Sequence, residues 1–125
     1  MFNYYIYRTY FNAKHSFNGD ITKIHGHSFT VVTYIGMKDS KEDIPFFKLK
    51  AIISSFIDQY RGRYLNELPE FEGCGNTLET IGDYFYEKLR KQLMKSGMEL
   101  YQLDISENPL CVYPVSYTHL TLPTK

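Results

Sequence analysis

Two long runs of aromatic and β-branched residues fill the N-terminal third and restrict what this chain can become. The first, Phe2-Asn3-Tyr4-Tyr5-Ile6-Tyr7-Arg8-Thr9-Tyr10-Phe11, is able to continue to His15. The second spans residues 24–37 and holds Phe29-Thr30-Val31-Val32-Thr33-Tyr34-Ile35. Residues of these types favour strands. Asn18-Gly19-Asp20 between them is a turn signal. The spacing predicts a long antiparallel pair, with His15 on one strand and His25 and His27 on the other near its closed end.

Alternate residues of a strand share a face, and their Cα atoms lie roughly 6.6 Å apart. The imidazoles of His25 and His27 can therefore lean onto one ion, with His15 delivered from the neighbouring strand. Three neutral imidazoles with one open position form the usual catalytic zinc arrangement. A lone H-x-H pair in a soluble protein usually binds no metal, and His15 alone reads as a hydrogen-bonded, half-buried histidine. Three histidines within thirteen residues, with His119 the only other, favour the metal site.

Past the solvated stretch Asp39-Ser40-Lys41-Glu42-Asp43 the period changes from two to about 3.6. Phe46, Leu49, Ile53, Phe56 and Tyr60 form one stripe, with Ile52 and Ile57 beside it. They predict a helix over 45–60, with Pro45 in its first turn and an end near Gly62. Residues 65–75 read as loop. A second helix is expected from Asn76, where Asn76-Thr77-Leu78-Glu79 fits a capping box. Its stripe is Leu78, Ile81, Phe85, Leu89 and Leu93, and its stop is Ser96-Gly97. Residues 99–106 alternate as a third strand, broken at Glu107-Asn108-Pro109, and Cys111-Val112-Tyr113 starts a fourth. The order β-β-α-α-β-β predicts an α+β fold, two helices on one face of an antiparallel sheet.

A length of 125 residues sets one domain. Zero net charge gives no argument for nucleic acid or an acidic membrane surface. No stretch reaches transmembrane length without a charge. Cys74 and Cys111 make no disulfide framework, and the N-terminus lacks a basic region followed by an apolar run. A soluble, cytoplasmic setting is expected. With twelve Tyr and nine Phe, rings are expected in the strands and at subunit contacts. The stretch 115–125 resembles an adapter-derived read-through peptide. It is set apart, His119 included, from a domain spanning 1–114, which implies a native C-terminal end other than this one.

Phe11-x-Ala13-x-His15, Ile24-His25-Gly26-His27-Ser28-Phe29, Tyr64-Leu65-Asn66, Thr77-x-Glu79 and Glu107, in that order, resemble the 6-pyruvoyl-tetrahydropterin synthase family. The branch most similar is the 6-carboxytetrahydropterin synthases of queuosine biosynthesis. The resemblance covers roughly residues 5–113. It implies the tunnelling fold, with subunits joined as trimers whose sheets close into a barrel, two trimers stacking as a hexamer. It implies zinc held by His15, His25 and His27, a pterin edge gripped by Glu107, and substrate contacts from Thr77. The implied substrate is dihydroneopterin triphosphate. A carboxylate suits the pterin's N3–H and 2-amino donors, a planar bidentate pairing.

The proton-transfer residues of the family are absent from their usual places. Ile21 stands where the family has a catalytic cysteine, and Arg61-Gly62 where it has an Asp-His pair. Neither isoleucine nor glycine carries a titratable group, and arginine stays protonated. Three readings follow. General bases have moved, with Asp20, beside the missing cysteine, or Cys74, three residues before Thr77, as candidates; Asp20 also reads as a turn residue and Cys74 as a loop thiol without a role. Alternatively the chain is a divergent paralogue acting on another pterin or purine, with Lys14, Lys23, Arg61 and Arg63 near its phosphates or simply solvated. In the third reading it is a binding module that keeps zinc and a pterin or purine without turnover.

Overall fold

A computed structural model describes residues 4–15, 25–37, 45–65, 68, 78–108 and 111–116. Strands β1 (Tyr5–His15), β2 (His25–Met37), β3 (Met98–Asn108) and β4 (Cys111–Ser116) form one antiparallel sheet in the order β1-β2-β3-β4. Helices α1 (Phe46–Asp58) and α2 (Leu78–Met94) come between β2 and β3 in the chain. The expected β-β-α-α-β-β arrangement is the observed one.

Strand alternation divides the sheet into two faces. Phe11, Ala13, Phe29, Val31, Ile35, Leu103 and Ile105 are buried on the helix side, with Val115 joining them from β4. The helices meet them with Leu49, Ile53, Phe56 and Ile57 from α1 and Ile81, Phe85, Tyr86, Leu89 and Leu93 from α2. Phe85 is the hub. Its ring centroid lies 5.7 Å from Phe11, 5.1 Å from Phe56 and 4.9 Å from Tyr60. It therefore ties both helices to β1. Gly82 lets α2 approach the sheet, since a Cβ there would stand 2.9 Å from Ile105 Cγ2 and from the Tyr113 ring.

Several boundaries differ from those the sequence predicts. Pro45 is the N-cap of α1 rather than its first turn, and Phe46 is 52% exposed. A helix's first residue has no preceding turn to pack beside it, so the Phe46 ring stays half open, meeting Tyr7 edge-on at 6.3 Å and Phe47 at 5.9 Å. The α1 cap carries no side-chain hydrogen bond; burial of its stripe holds that helix. In α2, Glu79 and Lys91 complement the helix dipole at the two ends, while Asn76 lies outside the described residues.

β3 does not simply alternate. A bulge opposite Tyr34/Ile35 leaves Tyr101 without a register partner, so Leu100 and Leu103, three residues apart, are both buried. β3 also continues through Glu107 to Asn108, past the expected break. The β4 pairing supports this extension: Ser106 faces Val112 and Asn108 faces Cys111, with Glu107 as the extra residue of a second bulge. β4 extends through Val115 and Ser116, so the first two residues set apart from the domain pair within the sheet. No described helix is long and apolar enough to cross a membrane.

Candidate functional site

The β1–β2 register runs without a break from Tyr5 opposite Ile35 to His15 opposite His25. Directly paired residues of antiparallel strands share a face, as do residues two apart on one strand. Positions 15, 25 and 27 therefore lie on one face at one end of the sheet. It is the helix side, because His27 pairs with Ala13, which is buried there. The row Val31, Phe29, His27 thus passes from the apolar core into a histidine. On β3 the row Leu103, Ile105, Glu107 passes into a carboxylate.

These two row ends meet. His27 Nδ1 lies 3.4 Å from Glu107 Oε2, and both side chains are about three-quarters buried. Phe29 also meets the imidazole edge-on, with centroids 6.1 Å apart. Phe29 is fully buried and stacks on Phe11 at 5.0 Å. His27 Nε2 is shielded from solvent.

A cavity of about 330 Å³ opens beside this end of the sheet, lined by Asn12, Ala13, Lys14, Gly26, His27, Ser28 and Gly62. Asn12, Lys14, Gly26 and Ser28 belong to the face away from the helices, Ala13 and His27 to the helix side. Ser28 donates its hydroxyl to Asn12 Oδ1 at 2.7 Å. The chain leaving α1 forms the third wall by running along the edge of β1. Gly62 N–H donates to Asn12 O at 2.6 Å, and Lys14 N–H donates to Arg63 O at 2.8 Å. A parallel bridge joins Lys14 and Tyr64. Gly62 makes this turn at φ +75°, left-handed backbone suited to glycine.

Arg61 braces the same segment. Its Nη1 donates to Tyr10 O at 3.0 Å and its Nε to Asp58 Oδ1 at 3.1 Å. Arg61 and Gly62 therefore shape the wall, and neither provides an acid or base to the cavity. Lys14 and Arg63 are exposed.

Positions 15, 25 and 27 share a face by register, and Glu107 lies against His27; the side chains of His15 and His25 lie outside the described residues. Asp20, Lys23, Cys74 and Thr77 lie outside the described residues. Among the described residues, no group of three or more His, Cys, Asp or Glu side chains stands assembled around a metal position. The donor chemistry nevertheless fits a borderline-soft divalent ion: three histidine positions share one face, and the one imidazole described turns a shielded nitrogen away from solvent. Sequence reasoning missed Asn12, Ser28 and the Glu107 bulge. Writing the two strands in register about residue 20 would have set Asn12 opposite Ser28. The bulge has no comparable signal.

No curated protein matches the chain by sequence. Solved structures share its fold. 6-Pyruvoyl tetrahydropterin synthase of Caenorhabditis elegans superposes with a TM-score of 0.72 at 22% identity, covering 93% of this chain and 99% of that one. An uncharacterized protein of Wolinella succinogenes gives 0.58 at 16%, over 91% and 98% of the two chains. The Plasmodium falciparum 6-pyruvoyl tetrahydropterin synthase gives 0.58 at 16%, over 90% and 97%. The sequence pattern of one family matches residues 5–117, and on that match the chain belongs to the 6-pyruvoyl tetrahydropterin synthase family.

Proposed function

We propose that this chain is the subunit of a zinc-dependent pterin-processing enzyme acting on 7,8-dihydroneopterin triphosphate, a carbon–carbon or carbon–oxygen lyase of the 6-carboxytetrahydropterin or 6-pyruvoyl-tetrahydropterin synthase type. Queuosine biosynthesis in the cytoplasm is its proposed setting. The observation that carries the reading is the unbroken β1–β2 register, which sets positions 15, 25 and 27 on one face, with Glu107 against His27.

In this reading His15, His25 and His27 hold the zinc ion. The ion supplies Lewis acidity toward the substrate's side-chain oxygens. Glu107 accepts the pterin's N3–H and 2-amino donors, and the Thr77 hydroxyl adds a contact. Lys14, exposed at the cavity, faces the anionic part of the substrate. Asp20 and Cys74 are the candidates to move protons. The site is shared in a homo-oligomer, a trimer or hexamer. Supporting that assembly, Tyr5 at 62%, Ile6 at 56% and Phe46 at 52% exposure leave apolar surface beside the β1 edge, and such edges are usually paired or covered.

Zinc-loaded protein should convert dihydroneopterin triphosphate to a tetrahydropterin product identified by mass spectrometry. Absence of both product and pterin binding would sink the proposal. Pterin binding without product would favour a catalytically altered paralogue that keeps zinc and a pterin or purine. One observation speaks for that second reading: Arg61 and Gly62, at the family's Asp-His positions, build the wall and offer no proton-transfer group. His25→Ala should abolish zinc occupancy, measured by elemental analysis, and full occupancy would remove the three-histidine site.

A further inference from the structure

We infer that Glu107 is a positioning residue for His27: its carboxylate takes the Nδ1–H and so leaves Nε2 as the nitrogen available to a metal. The inference rests on the metal-binding reading above and adds a role for Glu107 that involves no pterin.

Neutral imidazole carries one proton on one of two nitrogens, and the partner of one nitrogen sets the state of the other. An ionised carboxylate only accepts hydrogen bonds. Placed 3.4 Å from Nδ1, Glu107 draws the proton to that atom. A proton on Nε2 would block ligation there. Metal-binding histidines commonly have such a carboxylate behind them, and removing it lowers metal affinity.

Three features make this contact a built one. His27 and Glu107 are 28% and 24% exposed, so water screens their interaction less than at an open surface. Phe29 packs edge-on against the imidazole and is itself fixed by stacking on Phe11, which limits ring rotation. Glu107 is the extra residue of the bulge between Ser106 and Asn108. Bulges re-aim a side chain at the cost of one ladder position. The apolar row of β3 could have continued with another aliphatic residue; at this bulge it presents a carboxylate to His27.

The test uses zinc alone, without a pterin. Zinc affinity of the full chain is measured by competition with a chromogenic chelator, for the wild type, Glu107→Gln and Glu107→Ala. Both variants should bind about 10–100-fold more weakly, and Glu107→Asp should recover part of the loss. Equal affinity in folded variants would overturn the inference. Nitrogen-15 shifts of the His27 ring in metal-free wild type, at a pH where imidazole is neutral, give a readout that needs no variant. They should report a protonated Nδ1 and an unprotonated Nε2; the reverse would overturn the inference. Wild type that binds no zinc yet shows the Nδ1–H pattern would defeat the metal reading. Zinc binding with an Nε2–H pattern in the metal-free protein would defeat the role of Glu107 alone.

Discussion

The helix-facing rows of the sheet have two characters along their length. In the middle they close around Phe85, where Phe11, Phe56 and Tyr60 pack ring against ring. At the end they become His27 and Glu107, half-open beside a cavity of about 330 Å³. The same strands, in the same alternation, build both. The middle holds the fold and the end carries the proposed site, so damage to each should register in a different measurement.

Phe85→Ala tests the middle most severely. Removing a buried aromatic costs about 3–5 kcal/mol, which denaturant titration would read as a large drop in midpoint. A loss under about 1 kcal/mol would deny Phe85 its place as hub. Gly82→Ala should cost about 1–3 kcal/mol through overpacking against Ile105 and Tyr113, less up to about 1 kcal/mol returned by alanine's helical preference. At the polar end the pattern inverts. Glu107→Gln should weaken pterin binding by about 1–3 kcal/mol, because a charge-assisted pairing is lost, while its melting temperature stays close to wild type. If it melts like Phe85→Ala, the two regions are not separate.

The smallest effect is one of pH and belongs to the packed region. Burial, then a hydrogen bond to Asp83, pushes the Tyr113 hydroxyl up to about 12 from the usual 10.0. Its neutral form is favoured in the folded state, so this stabilisation is complete below pH 10.0 and is lost as pH climbs through about 12. Tyr34, raised by its hydrogen bond to Asp104, acts in the same direction. Tyr113→Phe should flatten part of the alkaline fall in melting temperature, and an unchanged slope would assign that fall elsewhere.

Much of this contrast was legible in the sequence. Alternation set the β1–β2 pairing, and the 3.6-residue stripes set both helices; the Asn18-Gly19-Asp20 turn signal lies outside the described residues. The histidine positions followed from strand geometry. The two bulges of β3 were not legible, because an extra residue in one strand depends on its partner's register. Strict alternation would have sent Leu100 and Leu103 to opposite faces, yet both are buried. The same blindness ended β3 before Glu107 and hid its approach to His27. Arg61 could not be read as a brace either, since its acceptor, the Tyr10 carbonyl, lies 51 residues away.

The sheet order also bears on how the chain assembles. β1–β2 and β3–β4 are pairings between near neighbours in the chain, while β2–β3 spans both helices. Distant pairings are entropically the slowest to close. His27 comes from the first strand pair and Glu107 from the second, so their contact exists only once that seam has formed. A ligand spanning the two would act as a clasp across the last join, and its binding would report completed folding.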